Sequence, residues 1–173
     1  MTANEARRAL PDDAVEVTRL RLQMFRELGK TDDVWVDACV AALSDALGRE
    51  PPELTAFVVD GSAVGQLVAC GVGYLERRLP GPGGGSGIHG HIGSMYTEVQ
   101  DRRRGHARAI LHSLLDWFWE REAERVQLWA SESSAPLFAA EGFYIGNPLW
   151  QLRRPRASPA DATREQGPGG IVH

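Results

Sequence analysis

The sequence predicts an α/β (α+β) domain in which helices cover both faces of a central mixed, mostly antiparallel sheet. The first observation behind this prediction is the order of the apolar patterns: strand, two helices, three strands, then alternating helices and strands. The second is a short basic turn, residues 102–107, between a strand-like run and a helix-like run. The third is the composition of the 173 residues, with 43% hydrophobic and 24% charged, which is typical of a globular protein.

The N-terminal part of the sequence predicts a short first strand and two helices. The strand is Arg7–Leu10. The first helix starts at Pro11-Asp12-Asp13 and ends at Gly29, and the second starts at Thr31-Asp32-Asp33 and ends at Gly48. Apolar residues recur at helical spacing in both: Val17, Leu20, Met24 and Leu28 in the first, and Val36, Cys39, Val40, Leu43 and Leu47 in the second.

Three strands are predicted next. Leu54–Val59 and Val64–Leu79 are rich in residues that favour strands, and Asp60-Gly61 between them is a hairpin signal. Glycines and prolines dominate Pro80–Gly90, which predicts a flexible loop. The third strand is His91–Val99.

The C-terminal part of the sequence predicts alternating helices and strands. They are a helix at His106–Ala123, a strand at Val126–Ala130, a helix at Ala135–Ala140 and a strand at Phe143–Leu152. Residues 154–173 are rich in proline and glycine and predict a disordered tail. We therefore expect one folded domain, residues 1–153.

Composition also restricts the class of function. A net charge of −4 disfavours nucleic acid as a partner. No apolar run is long enough for a membrane span and Met1–Glu5 has no signal core, so a cytoplasmic location is expected. Cys39 and Cys70 lack metal-ligand spacing and are expected to be buried thiols. His89 and His91 share one strand face, but no nearby ligand completes a metal site, so a loop edge or a substrate contact is expected.

The basic turn predicts an anion site. It reads Arg102-Arg103-Arg104-Gly105-His106-Ala107. The first N–H groups of a helix have no intrahelical partner and carry partial positive charge. A glycine allows a phosphate to approach the backbone closely, and nearby arginines add charge that does not titrate. The predicted ligand carries a phosphate or pyrophosphate.

A second glycine-rich segment matches a different phosphate-binding pattern. Gly85-Ser86-Gly87-Ile88-His89-Gly90 fits the dinucleotide fingerprint Gly-x-Gly-x-x-Gly. A strand follows it, however, where the fingerprint requires a helix N-terminus. We interpret it as a chance match in a loop, and a nucleotide-binding oxidoreductase stays as an alternative.

These features resemble the GCN5-related N-acetyltransferase (GNAT) superfamily over roughly residues 7–152. Residues 102–107 fit the acyl-CoA motif Gln/Arg-x-x-Gly-x-Gly/Ala, at the strand-to-helix position that the family uses. The preceding Ile92–Glu98 fits the family's strand. The later Leu137–Phe143 resembles its Leu-Tyr-x-x-x-Gly-Phe segment.

The resemblance implies that acetyl-CoA is the acyl donor and that the fourth and fifth strands splay apart at a β-bulge. The pantetheine arm would pair with the fourth strand near Tyr96, Thr97 and Glu98, and Ser131 would offer a hydrogen bond to the cofactor. The pyrophosphate would lie on backbone N–H groups of Arg103, Arg104, Gly105, His106, Ala107 and Arg108. The implied reaction is N-acetylation of a primary amine by direct attack, without a metal.

The catalytic groups depart from the family pattern. Phe138 stands where the family has a tyrosine that acts as general acid, and it has no proton to donate. Tyr144 or Ser133 is a candidate substitute. A thiolate with a pKa near that of cysteine, about 8.5, also leaves without protonation. Glu98 is the candidate general base, and a solvated carboxylate near the arginine turn is the alternative.

The acceptor side is less specific. Phe25 and Trp35 lie in the region where the family forms its acceptor pocket, so both are substrate-binding candidates, with core packing as the alternative. The acceptor is an amine of a small molecule or a protein. A homodimer is expected by analogy alone. Because of Phe138, a CoA-binding regulatory protein with little catalysis stays as the alternative function.

Overall fold

The computed structural model describes residues 5–82 and 85–146 of the chain. The described residues form five strands and four helices. In chain order they are β1 (Arg7–Arg8), α1 (Ala14–Glu27), α2 (Val36–Leu47), β2 (Leu54–Asp60), β3 (Leu67–Arg77), β4 (Ile88–Thr97), α3 (His106–Trp119), β5 (Arg125–Leu128) and α4 (Ala135–Ala140). Short 3-10 turns at Pro11–Asp13 and Val99–Asp101 precede α1 and α3.

The five strands form one sheet in the order β1-β2-β3-β4-β5. All neighbouring pairs are antiparallel except β4 and β5, which are parallel. The parallel pairing runs only from His89 opposite Arg125 to Ile92 opposite Leu128. Beyond Ile92, β4 continues to Thr97 without β5 beside it. The predicted mixed, mostly antiparallel sheet is confirmed.

Helices cover both faces of the sheet, as predicted. α1 and α2 bury one apolar cluster against it, with Val17, Leu20 and Leu43 among its members. α3 buries the other, centred on Leu114 and Phe118. Two apolar cores of this kind, one on each face, are the layered packing expected of a sheet sandwiched between helices.

Glycines in the sheet let α3 approach closely. A Cβ at Gly71 would lie 2.3 Å from Ile110 Cγ2, and one at Gly90 would lie 2.7 Å from the Phe118 ring. Real Cβ atoms do not make contacts this short, so these positions exclude side chains on packing grounds. The glycines within the predicted strands therefore mark close packing of helix on sheet.

The starts of two strands differ from the predictions by three residues. β3 begins at Leu67 because residues 61–66 form a turn, in which Gly61 N donates to Gln66 O at 2.7 Å and Gly65 has a φ of 75°. β4 begins at Ile88, inside the predicted glycine-rich loop. Its start is held by Arg78 N, which donates to Gly87 O at 2.8 Å.

The predicted helix His106–Ala123 is too long, since α3 ends at Trp119. The left-handed residue Glu122, with a φ of 57°, reverses the chain, and Ala123 N donates to Phe118 O at 3.1 Å. This is a Schellman-type helix end.

The predicted last strand is not formed over residues 143–146, which have no regular secondary structure. Its remainder and the predicted tail, residues 154–173, lie outside the described residues. No helix in the described part of the chain is long and apolar enough to cross a membrane.

Candidate functional site

The site begins where β4 separates from β5. The β3–β4 register shifts between Val72 and Gly73, because Val72 pairs with Ser94 whereas Gly73 pairs with Ile92. Gly93 is therefore the extra residue of a β-bulge, and it is exposed although it lies in an inner strand of the sheet. The bulge and the end of the β5 pairing together leave an open slot beside the backbone of β4.

The chain then enters the basic turn and α3. Arg103 has a φ of 60° and Gly105 a φ of 87°, so two left-handed residues flank Arg104 in this turn. α3 starts directly after Gly105, and Ala109 N makes the first helical bond, to Gly105 O at 3.0 Å. Alternating left-handed residues turn successive N–H groups into one concavity, and a helix N-terminus adds its dipole. The turn has the geometry of an anion site.

Carboxylates engage three of the four arginine side chains around this turn. Arg102 lies 2.7 Å from Glu27, Arg104 lies 3.0 Å from Asp101 and Arg108 lies 2.7 Å from Glu141. Their charges are partly neutralised before any ligand arrives. Of these four arginines, Arg103 lies at the exposed tip of the turn.

Two predicted cofactor residues hold the turn against α1, Tyr96 through its side chain and Thr97 through its backbone carbonyl. Tyr96 is 9% exposed and its hydroxyl donates to Glu27 Oε1 at 2.9 Å. Burial, together with that carboxylate, raises the pKa of Tyr96 to about 12. Thr97 O accepts a bond from Arg102 Nε at 3.0 Å. The Tyr96 side chain is therefore engaged with α1.

Glu98 is held in a network on the α1 side of β4. Its Oε1 accepts a hydrogen bond from Arg19 Nη1 at 2.6 Å. Arg19 also contacts Glu16 at 2.8 Å and Leu67 O at 2.9 Å. The side chain of Glu98 is only 15% exposed. Glu98 is therefore a fixed carboxylate with a cationic partner, and the solvated alternative is not what the structure shows.

The residues after β5 lie at the opposite edge of the slot. The Ser131 hydroxyl contacts those of Ser133 and Ser134 at 3.0 and 2.9 Å, in an exposed cluster before α4. Phe138 is buried at 6% exposure, with its ring edge-on to Phe143 at 5.7 Å. Tyr144 is 87% exposed in the segment after α4.

Phe25 and Trp35 do come together. Their ring centroids lie 5.3 Å apart in an edge-to-face arrangement, and both side chains are half-buried. Trp35 Nε1 donates to Asp32 O at 2.8 Å, which fixes the ring at the start of α2. The guanidinium of Arg21 lies 5.8 Å from each ring centroid. No sequence pattern identifies Arg21, because it is a lone arginine on a helix.

An aromatic group surrounds His91 at the edge of the slot. Its ring stacks on Tyr74 at 4.9 Å and meets Trp129 edge-on at 4.6 Å. Its Nδ1 lies 3.9 Å from Glu76, and its Nε2 is buried with no hydrogen-bond partner among the described residues. Burial lowers the pKa of His91 and favours the neutral ring. The His-x-His pattern was the only sequence signal for this group.

The other unusual side chains provide no further chemistry here. Burial raises the pKa of Cys70 to about 12, so its thiol stays protonated at neutral pH. His106 is 4% exposed within the motif, and its Nδ1 has no partner among the described residues. Gly85–Gly90 runs into β4 and not into a helix. Within residues 5–82 and 85–146, no group of three or more His, Cys, Asp or Glu side chains is arranged to hold a metal.

Comparison with known proteins agrees with this geometry. The sequence profile of the Acetyltransferase (GNAT) family matches residues 15–144. Among curated protein sequences, none matches the chain significantly.

Solved structures of similar fold include a predicted acetyltransferase from Clostridium acetobutylicum, crystallised with acetyl-CoA. It superposes on this chain with a TM-score of 0.77 at 21% sequence identity, and the alignment covers 86% of this chain and 95% of that chain. A GCN5-related N-acetyltransferase from Ralstonia eutropha JMP134 has a TM-score of 0.68 at 25% sequence identity, and the alignment covers 89% of this chain and 99% of that chain. An aminoglycoside N-acetyltransferase in complex with CoA has a TM-score of 0.68 at 16% sequence identity, and the alignment covers 87% of this chain and 93% of that chain.

Proposed function

The chain belongs to the acetyltransferase (GNAT) family, and we propose that it moves an acetyl group from acetyl-CoA to a primary amine of a small molecule or protein. The observation that carries the proposal is the pairing of two features: the left-handed turn at the N-terminus of α3 and the open slot beside β4. The turn suits a pyrophosphate, and the slot offers free strand backbone to an extended amide chain. CoA contains both groups.

The proposed binding mode follows from the order of these features. Backbone N–H groups of residues 103–108 hold the pyrophosphate, and the pantetheine arm lies along β4 at Tyr96, Thr97 and Glu98. The thioester then reaches the bulge at Gly93. Ser131, across the slot, offers its hydroxyl to the cofactor. A backbone N–H of β4 near the bulge polarises the thioester carbonyl as an oxyanion donor.

The proposed reaction is direct attack. The amine nitrogen forms a bond to the thioester carbon, the carbon–sulfur bond breaks, and CoA leaves as a thiolate. The pKa of such a thiol is about 8.5, so departure without a proton donor is feasible at neutral pH. Tyr144 stays the proposed donor that assists this step. Cys70 is excluded as a covalent nucleophile by its burial and raised pKa.

An amine similar to that of lysine has a pKa of about 10.4 and is therefore protonated at neutral pH. The acceptor amine must lose this proton before it attacks. Glu98 is proposed as the proton acceptor, directly or through water. His91 is a second candidate for the same role, because burial favours its neutral ring and its Nε2 has no hydrogen-bond partner within residues 5–82 and 85–146. His91 lies on β4 before the bulge, and Glu98 directly follows the end of β4. The pH dependence of their variants distinguishes them.

A melting experiment tests the cofactor directly. CoA and acetyl-CoA should raise the Tm of the full chain, whereas NAD and ATP at the same concentrations should not. Stabilisation by NAD but not by CoA would contradict the proposal and favour the oxidoreductase alternative. Release of free thiol from acetyl-CoA, measured across an amine panel, then tests the transfer.

One observation keeps a second function open. Phe138 is buried against Phe143 at the position of the family's proton donor. Tight CoA binding with no turnover of any amine would assign the chain to CoA binding or regulation.

Three coarser expectations complete the proposal. A cytoplasmic location is tested by cell fractionation, and a homodimer by light scattering. The domain limits, residues 1–153, are tested by limited proteolysis, which should stop near residue 153.

A further inference from the structure

We infer that the acceptor amine carries a carboxylate, and that Arg21 binds this carboxylate on the α1 side of the sheet. The inference rests on the proposed function, because it names the chemical class of the acceptor for the same site. It follows from where Arg21 lies, from what surrounds it and from the absence of a carboxylate partner among the described residues.

Arg21 reaches from α1 to the edge of the slot. Its Nε donates to Ser94 Oγ at 3.1 Å, and Ser94 is the buried β4 residue directly after the bulge glycine, Gly93. Its Nη1 donates to Cys39 Sγ on α2 at 3.0 Å. The guanidinium therefore lies between two helices and β4, next to the position proposed for the thioester.

Aromatic rings hold Arg21 without neutralising it. Phe25 and Trp35 each place a ring centroid 5.8 Å from its guanidinium carbon. Aromatic rings attract a cation through their quadrupole but contribute no net charge. With a serine and a thiol as its other partners, Arg21 keeps its full positive charge and a fixed orientation.

Among the described residues, Arg21 differs from the other partly buried arginines. Arg7, Arg19 and Arg121 each have a carboxylate partner. No described carboxylate pairs with Arg21. The remaining arginines without such a pair are all exposed: Arg8, Arg26, Arg103 and Arg125. Partial burial of a cation without a carboxylate is costly, which points to an anion supplied from outside.

Three carboxylates beside β4 are already engaged by other arginines. Glu27 pairs with Arg102, and Glu98 pairs with Arg19. Glu76 pairs with Arg78. Among the described residues, Arg21 is therefore a cation beside the slot that has no carboxylate partner, and Lys30, over the Phe25 ring at 5.2 Å, adds a second positive charge nearby.

An acceptor with only an ammonium group would be repelled by Arg21. A carboxylate on the same acceptor would gain charge-assisted hydrogen bonds from the guanidinium, whose Nη2 donates to no described residue. The pyrophosphate of CoA is accounted for by the turn at residues 103–108, so the acceptor is the anion assigned to Arg21.

The test is turnover of acetyl-CoA by the full chain with matched amine pairs. Each pair is an amino acid and the amine that lacks its carboxylate: phenylalanine with phenethylamine, and lysine with cadaverine. The carboxylate-bearing member of at least one pair should have the higher kcat/KM, by about 10- to 100-fold, which is the effect of a hydrogen bond to a charged group.

The variant Arg21→Gln keeps a donor for Ser94 but removes the charge. It should raise KM for the preferred amino acid by about 10- to 100-fold and leave KM for acetyl-CoA unchanged. Arg26→Gln is the matched control, because Arg26 is an exposed arginine on the same helix. That control should leave both KM values unchanged. A far-UV spectrum and Tm near those of the wild type show that each variant folds.

Three results would overturn the inference. The first is a higher kcat/KM for the amine that lacks the carboxylate in both pairs. The second is that no member of either pair is acetylated. The third is that Arg21→Gln raises KM for acetyl-CoA but not for the amino acid. None of these results decides the proposed function, which a separate measurement tests. If CoA still raises the Tm and another amine is acetylated, the proposed function stands without this acceptor class.

Discussion

Replacement of Gly105 by alanine tests whether the shape of the turn binds the cofactor. Gly105 has a φ of 87°, in the left-handed region, where an L-residue costs about 1–2 kcal/mol. Gly29, at the end of α1, has a φ of 75°, and a Cβ built there has no atom within 4 Å. Gly29→Ala therefore imposes a comparable backbone strain at a site far from the turn in sequence.

Both variants should lose about 1–2 kcal/mol of unfolding free energy in urea. Only Gly105→Ala should also weaken CoA binding, because a relaxed turn no longer points its N–H groups at one anion. The loss of one or two such bonds predicts a Kd raised by about 10- to 100-fold in calorimetry. Gly29→Ala should bind CoA with the wild-type Kd.

The reasoning is refuted if Gly105→Ala loses the stability but binds CoA as the wild type does. The turn geometry would then not be the binding element. Equal weakening of CoA binding by both variants would also refute it, because the effect would follow from stability alone.

Three further predictions concern proton transfer, acid stability and packing. If His91 accepts the amine proton, His91→Gln should lose more of the steady-state rate at pH 7 than at pH 9. An equal loss of rate at both pH values would exclude His91 as the proton acceptor. The same comparison for Glu98→Gln tests Glu98. Arg7 lowers the pKa of Asp13 in the folded state, so the stability from this pair is present above the unfolded pKa of about 4 and is lost as the pH falls through the lower folded value. Asp13→Asn should therefore lower the free energy of unfolding in urea at pH 6 and lower it much less at pH 2. An equal decrease at both pH values would contradict this prediction. Gly71→Ala places a Cβ 2.3 Å from Ile110 Cγ2 and should cost about 1–3 kcal/mol, seen as a lower Tm, and an unchanged Tm would contradict the close packing.

Local signals predicted most of the fold. α4 forms over the predicted residues, Ala135–Ala140, where a proline lies in the first turn of a short apolar run. The basic turn lies where its residues predicted, between β4 and α3. The start of β4 at Ile88 was not predicted, since Gly90 is part of the strand and packs closely against the Phe118 ring of α3. That contact depends on tertiary packing.

The candidate site was predictable only in part. Gly105 and its neighbours form a sequence motif, and their backbone follows from it. The ion pair between Arg102 and Glu27 joins residues 75 positions apart, and no sequence pattern links them. Ser94, the β4 partner of Arg21, is placed by the bulge at Gly93, which shifts the register of all later residues in β4. Side-chain partners across elements are what the sequence could not predict.

Backbone amide NMR during a CoA titration tests the central claim most directly. If the turn holds the pyrophosphate, the largest shift changes should fall on the amides of residues 103–108 and then on those of Gly93 to Glu98. CoA should saturate these changes, and NAD should not reproduce them. Largest changes at residues 85–90, or no saturable change at the turn, would contradict the account.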